Sequence, residues 1–245
     1  MSQAVQSPDP RVADLIGAGE VRVALYIPNY TKDPVTGALR GWAADLVRAL
    51  GDYLRIEGVP LEHPHPPAAM ASLKSGAADA AIIGIVASRA VEIDYTPPLV
   101  EADYTIMVPA GSPYFTIAEA DRPDVRIAAV RNHASTIALS QLVKNATFVY
   151  ADTPDPTFEL LRSGKADLFA SLREVLTNYG AQLPGSRLFE GRYGFNSIGM
   201  AVAKGKTERL AVLREFVETA KASGLVGQAI NRSGWRGLQV APKAK

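Results

Sequence analysis

Leu73-Lys74-Ser75-Gly76-Ala77-Ala78-Asp79, followed by Ala80-Ala81-Ile82-Ile83-Gly84, returns later in the chain as Leu161-Arg162-Ser163-Gly164-Lys165-Ala166-Asp167, followed by Leu168-Phe169-Ala170-Ser171. In each copy a helical stretch ends on Ser-Gly, where glycine can take the left-handed conformation that closes a helix. An Asp then opens a short apolar run of the kind that forms a buried strand. The same helix-turn-strand unit thus stands once in each half of the chain, and it predicts two related α/β lobes.

Upstream of the first copy, Glu20–Tyr26 (EVRVALY) alternates as a strand. A loop rich in Pro, Asn, Asp and Gly then leads into a helical stretch over residues 39–56. There Leu46, Leu50, Tyr53 and Leu54 recur at helical spacing, with Asp45, Arg48, Asp52 and Arg55 between them. Upstream of the second copy, residues 125–130 (VRIAAV) read as another buried strand, followed by a turn and a helix from Ser135. Past residues 198–203, two amphipathic helices at Thr207–Ala222 and 225–231 close the chain without a new domain.

The 245 residues suffice for one large domain or two modest ones. With 47% hydrophobic and 21% charged residues, the composition is that of a globular protein. The net charge of +1 leaves no basic stripe for nucleic acid or an anionic membrane, so a small molecule is the expected partner. No apolar run has the length of a membrane span, and residues 1–10 carry neither a basic head nor an apolar segment. The absence of cysteine excludes disulfides, cysteine-based zinc sites and thiol nucleophiles, and is compatible with cytoplasm and bacterial periplasm alike. His63 and His65 lie two apart among Pro64, Pro66 and Pro67 with no third ligand, so no metal site is expected. Acidic pairs such as Glu215 and Glu218 read as a solvated helix face, and no nucleophile-base pair stands out. Neither a catalytic residue nor a cofactor is expected.

Taken in order, these features resemble the family 3 extracellular solute-binding proteins, the amino-acid-type receptors of bacterial ABC importers. The residues that carry the resemblance are Gly41-Trp42 with Asp45-Leu46, the two repeats, Ser88-Arg89 with Ile93-Asp94-Tyr95-Thr96-Pro97-Pro98, and the closing Ser223-Gly224-Leu225 and Trp235. The resemblance implies a type II periplasmic-binding-protein fold: two α/β lobes joined by a double-crossover hinge, with crossings near Pro109 and Gly194. Lobe one would hold residues 1–108 and 195–245, and lobe two residues 109–194. Also implied are a ligand held in the cleft between lobes, a membrane permease as partner, a monomeric state and a periplasmic location, the signal peptide having been removed.

Among ligand-binding candidates, the family's Arg that grips the ligand carboxylate corresponds to Arg89. A planar guanidinium suits this role because it offers two parallel charge-assisted hydrogen bonds. Beside it, Gly84 and Ser88 lie in a stretch about two residues shorter than the family's, and Val86 replaces a hydroxyl-bearing Thr that Ser88 can partly replace. Asn29 and Tyr30 are cleft candidates on the loop after the first strand; Trp42 divides between core packing and a stacking wall. In lobe two, Arg131-Asn132-His133-Ala134-Ser135-Thr136 opens a helix; Ser135 and Thr136 would offer backbone N–H groups to an anion, with Ser135 read as the N-cap and His133 as either a ligand contact or loop filling. Ser171 closes the second apolar run. The family's Asp for the ligand's α-ammonium falls at Leu172. That points to a keto, hydroxy or aromatic acid, unless Glu174 or Glu101 supplies the charge. Two alternatives share the fold: an enzyme resembling periplasmic cyclohexadienyl dehydratases, with Glu174 near the place of their acid, and a detached sensor domain.

Overall fold

A computed structural model describes residues 9–26, 29–131 and 133–244; Asn132 and residues 1–8 of the N-terminal tail lie outside the described residues. The chain divides into two units. Unit 1 takes the described residues up to Val100, then Ser197–Gly234 and those from Val240; unit 2 takes Glu101–Asn196 and Trp235–Gln239. Pro109 follows the end of one long strand and Gly194 opens another.

In chain order, unit 1 begins with α1 (Ala13–Ala18), β1 (Glu20–Tyr26), the short pair β2 (Thr31–Lys32) and β3 (Leu39–Arg40), α2 (Trp42–Leu54), β4 (Glu57–His63), α3 (Pro66–Ser75) and β5 (Ala80–Gly84). β6 (Ile93–Val108) carries the chain into unit 2. There follow α4 (Ile117–Ala120), β7 (Arg126–Val130), α5 (Ala134–Leu142), β8 (Thr147–Ala151), α6 (Pro154–Arg162), β9 (Leu168–Leu172), α7 (Arg173–Gly180) and β10 (Arg187–Leu188). β11 (Gly194–Ala203) returns the chain to unit 1, which adds α8 (Thr207–Ala222) and α9 (Leu225–Ser233) before the short β12 (Leu238–Val240).

Both units order their strands alike. Unit 1 runs β4-β1-β5-β11 and unit 2 runs β8-β7-β9-β6. The first three strands of each are parallel, and the fourth, arriving from the other unit, is antiparallel. Parallel strands covered on both faces must be apolar along their length. In unit 2 this is visible residue by residue: Ile127 packs with Ile106, Leu139 and Leu168, while its neighbour Ala128 packs with Phe158, Phe169 and Leu176. In unit 1, Ala24, Leu73, Ile83, Ile93 and Ala201 form the matching cluster.

The repeat that opened the sequence reading is one half of a polar clamp. In unit 1 the Asp79 carboxylate accepts from the backbone N–H of Arg22 (2.9 Å) and from its guanidinium (2.9 and 3.1 Å), while the same guanidinium donates to the carbonyl of Gly76 (3.0 Å). Unit 2 repeats every bond: Asp167 accepts from Arg126 N–H (2.8 Å) and its guanidinium (3.1 and 2.8 Å), which also donates to Gly164 (3.0 Å). The backbone answers in kind, Asp79 and Asp167 each donating to the Arg carbonyl at 2.8 Å. Gly76 and Gly164 sit at φ 77° and 70°, which leaves their carbonyls available to the Arg at little strain. The motif therefore has a partner, Val21-Arg22-Val23-Ala24 in one half and Val125-Arg126-Ile127-Ala128 in the other.

Several bounds differ from the sequence expectation. The helix expected over 39–56 begins only at Trp42, because Leu39–Arg40 pairs with β2 and Gly41 takes φ 105°. The last helix runs to Ser233, where Gly234 takes the left-handed form. The chain end does more than close two helices. In unit 2 the carbonyl of Gly237 accepts from Asp103 N–H (3.0 Å), and Gln239 donates to the Asp103 carboxylate (2.8 Å). A Cβ at Gly237 would meet Arg173 Cβ at 2.6 Å, so a larger residue does not fit. In unit 1 Ala241 donates to Leu99 O (3.0 Å), and buried Lys221 donates to Pro242 O (2.9 Å) and Pro98 O (3.3 Å).

The two clamps differ in burial: the Asp79 side chain is 8% exposed and also meets Arg209 (3.3 Å), whereas Asp167 is 34% exposed. Breaking a buried pair leaves uncompensated charge, so Asp79→Ala should cost about 3 kcal/mol. Asp167→Ala should cost about 1 kcal/mol, since a half-exposed pair is screened. Urea unfolding of the two variants measures the difference, and equal losses would show that burial does not set the strength of the clamp.

Candidate functional site

In α/β sheets, ligands gather at the carboxyl ends of the strands. Unit 1 places the Gly84 group there. Gly84 ends β5 beside Tyr26 at the end of β1, and its N–H donates to the Tyr26 hydroxyl (3.3 Å). The Gly84 carbonyl accepts from Arg89 Nη1 and from the Tyr95 hydroxyl, each at 3.2 Å. Arg89 closes a 3-10 turn, Ala87–Arg89, in which Ser88 is exposed. Among the described residues no carboxylate lies within ion-pair distance of Arg89. Its guanidinium is thus held at one corner by a carbonyl, with the remaining N–H groups unclaimed by protein charge.

The other unit 1 candidates lie deeper. Tyr30 is buried and donates to Glu62 at 2.9 Å; burial and this bond push its hydroxyl up to about 12, and Glu62 also pairs with Lys32 at 2.5 Å. Asn29 is buried, its amide nitrogen without a partner among the described residues. Trp42 is fully buried, so its ring belongs to the core and presents no face to a ligand. The sequence left that choice open because an aromatic at a helix start fits either place.

At the carboxyl end of β7, unit 2 brings His133, Ser135 and Thr136 together. His133 is the N-cap of α5, in place of Ser135: its Nδ1 accepts from Ser135 N–H (3.3 Å) and lies 2.7 Å from Ser135 Oγ. The Ser135 N–H expected to hold an anion is therefore taken by the cap. Ser135 and Thr136 are buried, and the Thr136 hydroxyl donates to Val130 O at 2.7 Å. Burial pulls the His133 pKa below its ordinary 6.5. Beside this turn stand two residues the sequence reading missed, Tyr104 and Tyr193, with ring centres 5.8 Å apart; burial raises both hydroxyls, Tyr104 to about 12. A tyrosine in a G-R-Y-G turn gave no periodic signal. Arg131 pairs with Asp152 at 3.1 Å over the Tyr150 ring, beside a cavity of about 320 Å³ lined also by Thr136, Ile137 and Ser140.

β9, parallel to β7, ends with buried Ser171 and half-buried Leu172. α7 starts at once, so Glu174 falls in its first turn. Burial pushes the Glu174 carboxyl up to about 8, and no cation pairs with it among the described residues. Glu101 is not free either: Arg192 holds it at 2.9 Å and holds Asp103 at 2.9 Å, with Arg173 3.7 Å from Asp103. His65 N-caps α3 through Ala68 N–H (3.2 Å), while His63 Nδ1 lies 3.3 Å from Leu61 O. Among the described residues no cluster of three or more His, Cys, Asp or Glu is placed to hold a metal, and no helix is long and apolar enough to cross a membrane.

Residues 22–233 match the bacterial extracellular solute-binding proteins, family 3, and the chain belongs to that family. No curated protein matches the sequence. Among solved structures, the chain is similar to the ancestral amino acid-binding protein AncCDT-1, described as a precursor of cyclohexadienyl dehydratase (TM-score 0.68, 21% identity, 91% of this chain and 98% of that one). It is also similar to a putative ABC-transporter binding component from Wolinella succinogenes complexed with lysine (TM-score 0.71, 22%, 89% and 95%). A third likeness is to an amino acid ABC transporter substrate-binding protein of Streptococcus pneumoniae bound to L-arginine (TM-score 0.66, 19%, 90% and 97%). At these identities the likeness is one of fold.

Two perturbed groups of unit 2, His133 and Glu174, shift in opposite senses. Folded His133 prefers to be neutral, so the unfolded chain binds more protons as pH falls below 6.5 and stability drops. Asn caps a helix without titrating, so His133→Asn should flatten the fall in melting temperature between about pH 7 and pH 5. Folded Glu174 holds its proton above the ordinary 4.5, so its contribution is present below that value and lost as pH rises to about 8. Glu174→Gln should therefore raise the melting temperature at about pH 9 and leave it unchanged at about pH 4. Differential scanning calorimetry across pH checks both slopes, and unchanged profiles would contradict them.

Proposed function

We propose that the chain is the solute receptor of an ABC-type importer, a monomer working in the periplasm with a membrane permease, and that its cargo is a small carboxylate lacking an α-ammonium group. What carries this reading is the distribution of charge at the strand ends. Among the described residues Arg89 stands without a carboxylate partner, as a group that receives an anion would. Where an ammonium would need a negative partner, unit 2 has Leu172, a Glu174 that burial keeps protonated, and a Glu101 already held by Arg192. An unpaired ammonium is costly to bury. The solved relatives above are described with lysine and L-arginine; a keto, hydroxy or aromatic acid suits this chain better.

A second reading is favoured by Glu174 itself. A carboxyl protonated near neutral pH, in the first turn after a strand end, is suited to general-acid work of the dehydratase kind. Receptor and enzyme separate in one experiment. Thermal shift against amino acids, 2-oxo acids, aromatic acids and prephenate should pick out an acid without an amino group. At a hundredfold excess over Kd, about 2.7 kcal/mol of stabilisation corresponds to roughly 5–10 °C. Arg89→Ala should remove that shift, since a charge-assisted contact contributes about 1.5–3 kcal/mol. Undiminished binding by Arg89→Ala would overturn the anion role, best binding by an amino acid would overturn the cargo, and turnover of prephenate lost in Glu174→Gln would favour the enzyme.

A further inference from the structure

We infer that Tyr95 is a positioning residue for Arg89 in unit 1: its hydroxyl shares the Gly84 carbonyl with the guanidinium and holds it against the end of β5. The inference rests on the receptor reading for what Arg89 receives, and on the backbone bonds around Gly84 for how Arg89 is held. Ile85 N–H donates to the carbonyl of Ser197, the residue opposite it on β11, at 2.8 Å. Hydrogen-bonded and non-hydrogen-bonded pairs alternate along an antiparallel ladder, so the preceding pair, Gly84 and Ile198, exchanges no backbone bond. Both polar groups of Gly84 therefore turn to the β1 side, where the ladder with β5 has already stopped at Ala24 and Ala81. Backbone groups left there need other partners. Tyr26 supplies one, its hydroxyl accepting the Gly84 N–H at 3.3 Å. The Gly84 carbonyl takes two donors, Arg89 Nη1 and the Tyr95 hydroxyl, each at 3.2 Å.

Two donors on one oxygen settle where the hydroxyl proton lies. A guanidinium can only donate, so the Tyr95 proton goes to Gly84 and the lone pairs of its oxygen are left for neighbouring donors. Burial raises the Tyr95 pKa, and the Val86 N–H and the Arg89 side chain oppose that rise, which puts both beside the same oxygen. The ring keeps this hydroxyl in place, because it packs against the buried cluster that includes Ala24, Ile83, Ile93 and Ala201. Arg89 has no such anchor. It is half-buried, it closes the short turn Ala87–Arg89, and a long side chain loses much rotamer freedom when fixed. A core-anchored hydroxyl beside the guanidinium orders it before a ligand arrives, which is how preorganisation tightens binding. The same arrangement fills both lone pairs of the Gly84 carbonyl, so that acceptor has no capacity left for a ligand N–H. A cargo without an α-ammonium group needs none.

The test uses the whole protein. Tyr95→Phe removes one oxygen and leaves the ring, so the melting temperature should fall by no more than about 4 °C. In the ligand-free protein, 15N relaxation of the Arg89 Nε–H signal, assigned with Arg89→Lys, should report a fixed side chain in the wild type and a mobile one in Tyr95→Phe. An Arg89 signal that is mobile in both, or as rigid in Tyr95→Phe as in the wild type, overturns the positioning role. By calorimetric titration with pyruvate and phenylpyruvate, Tyr95→Phe should bind about tenfold more weakly than the wild type, the fold-change of one lost hydrogen bond. Wild-type affinity in Tyr95→Phe overturns the inference and leaves the receptor reading standing. If neither acid binds the wild type, the acid-cargo reading fails for these probes, and the relaxation of Arg89 alone decides the role of Tyr95.

Discussion

An arginine at the start of a central strand, bound to an aspartate that follows a Ser-Gly turn, fixes both units of this protein. The interaction joins three pieces that chain entropy would otherwise keep apart: the first strand, the end of the covering helix and the third strand. Its cost is modest because the backbone already pairs there, Asp79 and Asp167 donating to the carbonyls of Arg22 and Arg126 at 2.8 Å. The guanidinium, part-exposed in each unit, then adds charge-assisted bonds to an aspartate that is buried in unit 1 and part-exposed in unit 2. Once the third strand is locked beside the first, its carboxyl end falls next to theirs. Gly84 lies beside Tyr26 in one unit, and Ser171 and Leu172 end the strand beside the His133 turn in the other. The clamp is thus at the amino ends and the candidate site residues are at the carboxyl ends of the same strands.

Charge is spent unevenly between these two ends. At the clamp, and again where Arg192 and Arg173 meet Glu101 and Asp103, each carboxylate has its arginine, so the carboxylates of that hub are closed to a ligand. At the strand ends the pattern inverts. Arg89 has a carbonyl for its partner, burial pulls the His133 pKa below its ordinary value, and burial pushes the Glu174 carboxyl up to about 8. In unit 1 a cation unpaired among the described residues stands at the strand ends, and in unit 2 a carboxyl that burial holds protonated near neutral pH.

Much of the fold was legible because the same short pattern occurs twice. Leu-x-Ser-Gly-x-Ala-Asp carries a helix stop, a left-handed turn and a buried strand in seven residues. Its arginine partner escaped notice because the spacing differs, 57 residues from Arg22 to Asp79 and 41 from Arg126 to Asp167. Local pattern also could not show that one strand, β6, runs unbroken through Pro97 and Pro98 into the second unit, or that residues 235–239 return there. At the candidate site, Arg89 and the His133 turn stand out in the sequence by position and residue type. What escaped was a matter of burial: Trp42 in the core, Tyr30 tied to Glu62, Glu101 already paired, and His133 rather than Ser135 as the cap. Those distinctions depend on neighbours far along the chain.

We propose that this solute-binding protein takes an acid without an α-ammonium group. Native mass spectrometry of the intact protein, incubated with an equimolar mixture of L-amino acids and the 2-oxo acids of the same side chains, tests it most directly. Retention of a 2-oxo acid by the wild type, and of nothing by Arg89→Ala, is the expected result. Retention of an L-amino acid in preference to its 2-oxo counterpart would contradict it.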